Sequence, residues 1–140
     1  MARQISSRLT VSRKYEVCCA HYLPHVPEHH KCRRVHGHNY IIEVYVSGFP
    51  DRRGFVIDYY ELDQIFEDKI YDVIDHQCLN DIEGLENPTA EALAEWVMRR
   101  MQGAIDDEVE GWPEQPPAPL LVRRVDVYET ADSKVTYELM

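Results

Sequence analysis

The chain has 140 residues, of which 44% are hydrophobic and 29% are charged. This composition is that of one globular domain and excludes a disordered or fibrous chain. A net charge of −10 disfavours a protein that coats nucleic-acid phosphates. We therefore expect a single domain over residues 1–140 that binds no nucleic acid.

Membrane association is not expected either. The sequence opens without an apolar targeting segment, and its longest mainly apolar run, residues 40–46, is far shorter than a membrane span. The four cysteines form no CxxC motif, so we expect reduced thiols in a cytoplasmic protein. Three of them, Cys18, Cys19 and Cys78, are expected to be buried and inert.

Alternation of apolar and polar residues predicts strands at both ends of the chain, separated by turn-forming residues. A further short strand is predicted at the FVID run, which follows the turn-like sequence GFPDRRG. The predicted strands are residues 4–19, 36–48, 55–58, 120–130 and 134–139.

Two helices are predicted between these strands. The first follows Asp58, a possible N-cap, with apolar residues spaced three or four apart as far as Ile74. The second has Pro88 in its first turn. A loop at 111–120 contains four prolines, which exclude helix and central strand. This order predicts an α+β fold, an antiparallel sheet with two helices on one face.

Six of the seven histidines lie between positions 21 and 38. His36 and His38 flank Gly37 on a predicted strand, and the side-chain period of two places both rings on one face. His21, at the end of the preceding strand, would complete three nitrogen ligands with a fourth position open. Three ligands and an open position are typical of catalytic zinc sites.

Cys32 has two possible roles beside these histidines. As a fourth ligand it would close a structural zinc site, whereas an unbound thiolate could act as a base or nucleophile. Its neighbours Lys31, Arg33 and Arg34 carry positive charge, which favours a thiolate.

Four further residues offer a carboxylate or a capping side chain. Asp75 beside His76 suits an acid/base relay or a helix-end cap. Glu129 is either an exposed strand residue or an acceptor for two parallel N–H donors of a guanidine-like heterocycle. Thr89 and Glu91 fit capping and first-turn charge of the second helix.

Six segments, in chain order, resemble the 6-pyruvoyltetrahydropterin and 6-carboxytetrahydropterin synthase family: CCAHYLP, HKCRRVHGHNY, GFVIDYYEL, DHQCLNDI, ENPTAE and VYET. The resemblance covers residues 14–138, and two stretches look most like the bacterial 6-carboxytetrahydropterin synthases of queuosine biosynthesis. It implies the tunnelling fold, with four antiparallel strands and two helices per chain. Chains of this kind assemble into a barrel-forming trimer and usually a homohexamer of two trimers.

The resemblance also implies roles for individual residues. The family's zinc ligands correspond to His21, His36 and His38, and its catalytic cysteine corresponds to Cys32. Its acid/base partners correspond to Asp75 and His76. Its pterin anchor corresponds to Glu129, and its pterin pocket includes the positions of Thr89 and Glu91. Active sites between subunits would bring the Asp75–His76 pair to Cys32 of a neighbouring chain. Apart from the resemblance, the positive charge of Lys31, Arg33 or Arg34 could meet the substrate's triphosphate.

The activity implied is that of a zinc-dependent lyase. It would convert 7,8-dihydroneopterin triphosphate to 6-carboxy-5,6,7,8-tetrahydropterin, acetaldehyde and triphosphate. One alternative is a 6-pyruvoyltetrahydropterin synthase, which retains the carbons of the side chain. The other is a non-catalytic, zinc-stabilised binding module.

Overall fold

Four antiparallel strands form one sheet in the order β1-β2-β3-β4 in the computed structural model, which describes residues 7–140. The strands are β1 (Leu9–His21), β2 (His36–Gly48), β3 (Leu121–Thr130) and β4 (Ser133–Glu138). The helices are α1 (Tyr59–Phe66), α2 (Asp72–Ile74) and α3 (Ala90–Glu108), and a π-helical turn (Glu67–Tyr71) joins α1 to α2. The predicted α+β fold is confirmed.

The bounds of β1 follow from its partner rather than from its own sequence. Leu9 pairs with Gly48 and His21 pairs with His36, so β1 begins and ends where β2 provides hydrogen bonds. The predicted strand at 4–19 is therefore displaced toward the C-terminus, and its residues 4–6 lie outside the described residues.

The predicted strand at 55–58 is wrong. The Asp51 carboxylate accepts from the backbone N–H groups of Arg53 and Phe55, which bends this segment into a turn. Val56 and Ile57 are buried in the core from this loop. Asp58 caps α1 by accepting from the N–H of Tyr60, as its sequence position predicts.

The first helical segment is not a uniform α-helix. Its buried residues Leu62, Phe66, Ile70 and Ile74 recur every four residues, and in a straight α-helix this spacing drifts by about 40° per step. The wider π-helical turn offsets that drift, so all four side chains remain in the core.

α3 begins at Ala90, two residues after the proline that was predicted to lie in its first turn. Thr89 is its N-cap and accepts from the N–H of Ala92, so Pro88 precedes the cap instead of lying in the first turn. The proline-rich loop predicted at 111–120 is confirmed ahead of β3, except that Gly111 ends a 3-10 turn, Val109–Gly111. None of the helices among residues 7–140 is long and apolar enough to cross a bilayer.

The chain segments that carry the predicted metal-binding and catalytic residues lie at one end of the sheet. β1 ends beside the start of β2, and the pairing of Ile41 with Tyr128 places the end of β3 at the same end. The loop of residues 22–35 leaves from this end, and the buried Pro88 contacts it from the start of α3. Residues far apart in sequence therefore meet here.

Candidate metal centre and active site

The three histidines predicted as ligands lie together on the helix-covered face of the sheet. His21 is directly opposite His36 in the β1–β2 pairing, and His38 is two residues further along β2. One ring nitrogen from each lies within 4.8 Å of the others. His21 is buried, whereas His36 and His38 are half-buried, so the group opens toward one side.

Backbone carbonyls fix two of the rings. The Nδ1 of His21 contacts the Pro88 carbonyl at 2.8 Å, and the Nδ1 of His36 contacts the Arg34 carbonyl at 2.7 Å. A carbonyl oxygen only accepts, so each Nδ1 carries the proton and each neutral ring presents a lone pair at Nε2. These two Nε2 atoms are 3.1 Å apart, where lone pairs repel unless a cation lies beside them.

His38 offers the third nitrogen. Its Nε2 is buried and has no hydrogen-bond partner, because the Glu129 carboxylate, 3.4 Å away, lacks hydrogen-bond geometry. Burial lowers the pKa of His21, which favours the neutral imidazole that metals require. Tetrahedral coordination at 2.0–2.1 Å separates ligand nitrogens by about 3.3–3.4 Å, so the donor set fits a divalent cation.

Three supporting groups in this centre were missed from sequence. Tyr40 is fully buried, its hydroxyl lies 3.3 Å from Nδ1 of His21, and burial raises its pKa so that it stays protonated. Its position two residues after His38 on one face of β2 was an available signal. The carbonyls of Arg34 and Pro88 carry no side-chain signature.

Cys32 lies in a 3-10 turn, Lys31–Arg33, of the loop that leaves this end of the sheet. Its N–H donates to Nδ1 of His30, and its carbonyl accepts from the N–H of Leu23, so the backbone at Cys32 is fixed on both sides. The sulfur is not part of the three-nitrogen group. The geometry therefore favours an uncoordinated thiol over a fourth ligand.

Arg33 is exposed, and its guanidinium also bonds to the backbone of this loop. Its Nη1 donates to the carbonyls of Pro24 and Val26 at 2.8 and 2.9 Å. A guanidinium committed to two carbonyls has fewer donors for a triphosphate. Lys31 and Arg34 are exposed as well, and contacts of all three residues with a triphosphate stay predictions.

Asp75 and His76 do face one another. Asp75 Oδ2 accepts from Nδ1 of His76 at 2.7 Å, and Oδ1 accepts from the N–H of Cys18 at 3.1 Å. Burial opposes ionisation of Asp75, but the hydrogen bonds from Cys18 and His76 outweigh it and lower the pKa of this carboxyl. The pair lies along the outer edge of β1 and is not part of the three-nitrogen group, while His76 and His38 line one cavity.

The backbone of His76 is unusual. Its φ of 59° is left-handed, the only such value at a non-glycine residue between positions 7 and 140. The conformation lets the chain leave α2 and run beside β1, where the N–H of His76 bonds to the Cys18 carbonyl. The imidazole stays 77% exposed and can reach another molecule.

The remaining predicted site residues lie around the same end of the sheet. Glu129 is about one-third exposed beside His38. Thr89 is occupied as the helix cap, while Glu91 is exposed in the first turn of α3. The positions of Thr89 and Glu91 agree with their interpretation as a helix cap and a first-turn charge. Contacts of Glu129, Thr89 and Glu91 with a pterin stay predictions.

The cysteines expected to be inert differ in environment. Cys19 is buried, and burial raises the pKa of its thiol to about 12. Cys18 and Cys78 are only half-buried, so the expectation of burial is wrong for these two. Both line a cavity of about 350 Å³ that also includes His76.

Comparison with known proteins agrees with this geometry. The family model described as 6-pyruvoyl tetrahydropterin synthase matches residues 10–139. The 6-carboxy-5,6,7,8-tetrahydropterin synthase of Synechocystis is 36% identical over 99 residues, 67% of this chain and 75% of that protein. A putative 6-carboxy-5,6,7,8-tetrahydropterin synthase of Archaeoglobus fulgidus is 41% identical over 66 residues, 47% of this chain and 55% of that protein.

A solved structure shares the fold over nearly the whole length. The 6-pyruvoyl tetrahydropterin synthase of Caenorhabditis elegans superimposes with a TM-score of 0.77 at 23% identity, covering 96% of this chain and 97% of that one. With the sequence matches, this shows that the chain belongs to the 6-pyruvoyl tetrahydropterin synthase family.

Proposed function

We propose that the protein is a zinc-dependent 6-carboxy-5,6,7,8-tetrahydropterin synthase acting in queuosine biosynthesis. It takes 7,8-dihydroneopterin triphosphate and water to 6-carboxy-5,6,7,8-tetrahydropterin, acetaldehyde and triphosphate. The names of the Synechocystis and Archaeoglobus relatives support the product. The observation that carries the proposal is the pair of Nε2 atoms, 3.1 Å apart, on rings whose Nδ1 atoms are bonded to carbonyls.

His21, His36 and His38 hold the metal in this proposal. Bound zinc supplies a Lewis acid that polarises side-chain oxygens of the substrate and acidifies the adjacent C–H. The opening beside the half-buried His36 and His38 leaves room for those oxygens.

Glu129 orients the pterin. Its carboxylate accepts from a ring N–H and from the neighbouring amino group, two parallel donors that suit a bidentate acceptor. Because Glu129 lies 3.4 Å from His38, a pterin held there has its side chain beside the metal site. Fixed orientation of this kind raises the rate by holding reacting groups in place.

Cys32 and the Asp75–His76 pair move the protons. The Cys32 thiolate removes the acidified proton from the substrate's side chain, and His76, oriented by Asp75, returns a proton. Because the pair flanks the outer edge of β1, it serves the centre of a neighbouring chain. The exposed imidazole of His76 supports that arrangement.

The assembly proposed is a homohexamer of two trimers. β1 and β4 are the two edges of the sheet. Among the described residues, no strand covers the outer side of β4 or that of β1 ahead of Cys18, so another copy can extend the sheet there. Closure of three sheets would form the barrel. Light scattering on the purified protein would give the mass of six chains, while a monomeric mass would contradict a site built between subunits.

One incubation tests the function. Zinc-loaded protein with 7,8-dihydroneopterin triphosphate should release acetaldehyde, trapped as a hydrazone, and a pterin that has lost two side-chain carbons, read by mass spectrometry. Chelated protein should release neither. No turnover with full zinc occupancy would contradict the proposal.

Two alternatives give different results. The description of the matching family model favours a 6-pyruvoyltetrahydropterin synthase, whose product keeps every carbon and releases only triphosphate. A non-catalytic binding module would unfold on chelation and convert nothing. The proposed enzyme should instead lose activity on chelation while keeping its fold, because its core is independent of the metal.

A further inference from the structure

His30 lies directly before the 3-10 turn, Lys31–Arg33, that carries Cys32, and it is the N-cap residue of that turn. Its Nδ1 lies 3.0 Å from the backbone nitrogen of Cys32 and accepts a hydrogen bond from that N–H. A side chain that accepts from a backbone N–H of the first turn is the contact that defines an N-cap. Here an imidazole makes this contact in place of the usual serine, threonine, aspartate or asparagine.

This bond determines the tautomer of His30. A backbone N–H only donates, so Nδ1 of His30 presents a lone pair and the neutral ring carries its proton on Nε2. His21 and His36 have the opposite arrangement, because their Nδ1 atoms donate to carbonyls. His30 is exposed, and its ring is not part of the three-nitrogen group. Its link to the site is therefore the bond to the Cys32 backbone.

Backbone hydrogen bonds fix His30 and the turn that it caps. The N–H of His30 donates to the Pro27 carbonyl at 2.9 Å, and its carbonyl accepts from the N–H of Arg33 at 3.0 Å. The Cys32 carbonyl accepts from the N–H of Leu23 at 2.8 Å, which joins the turn to the residues that follow β1. The imidazole of His30 thus extends from a backbone that is held on both sides.

The same turn connects Cys32 to the metal centre. At its C-terminal end, the N–H of Arg34 donates to the Lys31 carbonyl at 3.2 Å. The Arg34 carbonyl accepts from Nδ1 of His36 at 2.7 Å. One short turn therefore supports both the proposed catalytic thiol and the carbonyl that orients a proposed zinc ligand. Its N-cap acts on Cys32 directly, because the capping bond ends on the Cys32 N–H.

We infer that His30 is a positioning residue for Cys32, whose imidazole caps the turn and holds the Cys32 backbone in the conformation that presents the thiol. The catalytic consequence rests on the proposed function, because it requires Cys32 to remove a proton from the substrate. The structural consequence, protection of the Cys32 N–H, does not. What the turn requires at position 30 is an acceptor atom.

Two substitutions of His30 in the full chain separate the acceptor from the imidazole. His30→Ala removes the acceptor, whereas His30→Asn keeps one, because asparagine is among the best N-cap residues. Hydrogen exchange followed by NMR should show the Cys32 N–H exchanging about tenfold faster in His30→Ala, the effect of one lost cap on a local opening equilibrium. His30→Asn should exchange at nearly the wild-type rate. His29→Ala, at the exposed neighbouring position, is the matched control and should leave the rate unchanged.

Activity is the second readout, measured on zinc-loaded protein with 7,8-dihydroneopterin triphosphate. The kcat of His30→Ala should fall by roughly three- to tenfold with KM unchanged, because a smaller fraction of the molecules holds Cys32 in place. His30→Asn should recover most of that loss, and His29→Ala should lose none. Rescue by asparagine distinguishes a cap from an imidazole that transfers protons.

Equal exchange rates of the Cys32 N–H in His30→Ala and in wild type would overturn the inference. His30→Asn as slow in turnover as His30→Ala would also overturn it, since the imidazole itself would then take part in the reaction. A raised KM with unchanged kcat would do the same, because that pattern indicates contact with substrate. Hydrogen exchange needs no substrate, so an inactive wild-type enzyme is recognised separately as failure of the proposed function.

Discussion

The Nδ1–H of His21 donates to the carbonyl oxygen of Pro88 at 2.8 Å, joining the last residue of β1 to the residue before the cap of α3. This bond fixes the imidazole tautomer and directs Nε2 toward His36 and His38. Orienting partners of this kind change metal affinity by about 10–100-fold in metalloproteins. The packing of α3 on the sheet is therefore linked to the metal centre.

His21→Gln should remove most of the zinc affinity. Loss of a directly bound imidazole exceeds the effect of losing an orienting partner, so we expect a fall of at least about 100-fold, measured by competition with a chromogenic chelator. The matched control is His29→Gln in the exposed loop. Equal zinc affinity for the two variants would contradict the assigned ligand.

Cys32→Ala should lose turnover and keep zinc. Removal of a general base lowers kcat by roughly 10²–10⁴-fold, while three imidazoles still bind the metal. Cys78→Ala should keep nearly the wild-type rate, since this thiol contacts Asn80 and has no proposed role. Zinc content by mass spectrometry completes the test. A Cys32→Ala protein purified without zinc would identify the sulfur as a ligand.

Glu129→Gln should weaken pterin binding by about 1.5–3 kcal/mol, the scale of hydrogen bonds to a charged acceptor. An amide accepts only through its oxygen, so one of the two N–H donors of the ligand is left facing an NH₂ group. Fluorescence titration with a pterin gives the affinity, and Glu138→Gln on exposed β4 is the control. Unchanged affinity would remove Glu129 from the pocket.

His76→Asn should abolish turnover without loss of stability. A left-handed backbone costs a side chain with a Cβ roughly 1 kcal/mol, and asparagine tolerates it better than histidine. Urea unfolding should therefore give an unchanged or increased free energy of unfolding. A marked decrease would show that the imidazole, 77% exposed, has a structural role instead.

Asp126 should make stability depend on pH. Burial opposes its ionisation, but hydrogen bonds from Arg124, Thr136 and Tyr45 lower the pKa of the carboxyl below its ordinary value. A lowered pKa stabilises the folded state above the unfolded value of about 3.9, and that contribution disappears as pH falls through the folded value.

Asp126→Asn should therefore cost about 1.5–3 kcal/mol at neutral pH. The difference in unfolding free energy between wild type and variant should narrow only below pH of about 4. Urea unfolding at several pH values measures it. A constant difference at every pH would contradict an ionised Asp126 in the folded protein.

The histidine centre was predictable because a strand has a side-chain period of two. His36 and His38 share a face from sequence alone, and the placement of His21 required only that β1 pair with β2. The Arg34 and Pro88 carbonyls were not predictable, since any residue supplies a carbonyl and only tertiary structure selects these two.

Elsewhere local pattern and tertiary context conflict. The FVID run has strand composition, but Asp51 bends the chain before it can pair. The bonds from Arg33 Nη1 to the carbonyls of Pro24 and Val26 were not predictable either, because the shape of the loop brings these groups together. The sequence does contain one signal of the π-helical turn, the four-residue spacing of apolar residues from Leu62 to Ile74. That spacing does not by itself distinguish a π-helical turn from a regular α-helix, because the distinction depends on which side chains the core buries.

In the proposed enzyme, three imidazoles bind a divalent ion while the Cys32 sulfur stays unbound. X-ray absorption at the zinc edge of the purified protein tests it directly. We expect nitrogen and oxygen neighbours of the zinc at about 2.0–2.2 Å and no sulfur neighbour. A zinc–sulfur distance of about 2.3 Å, or protein that retains no zinc, would contradict it.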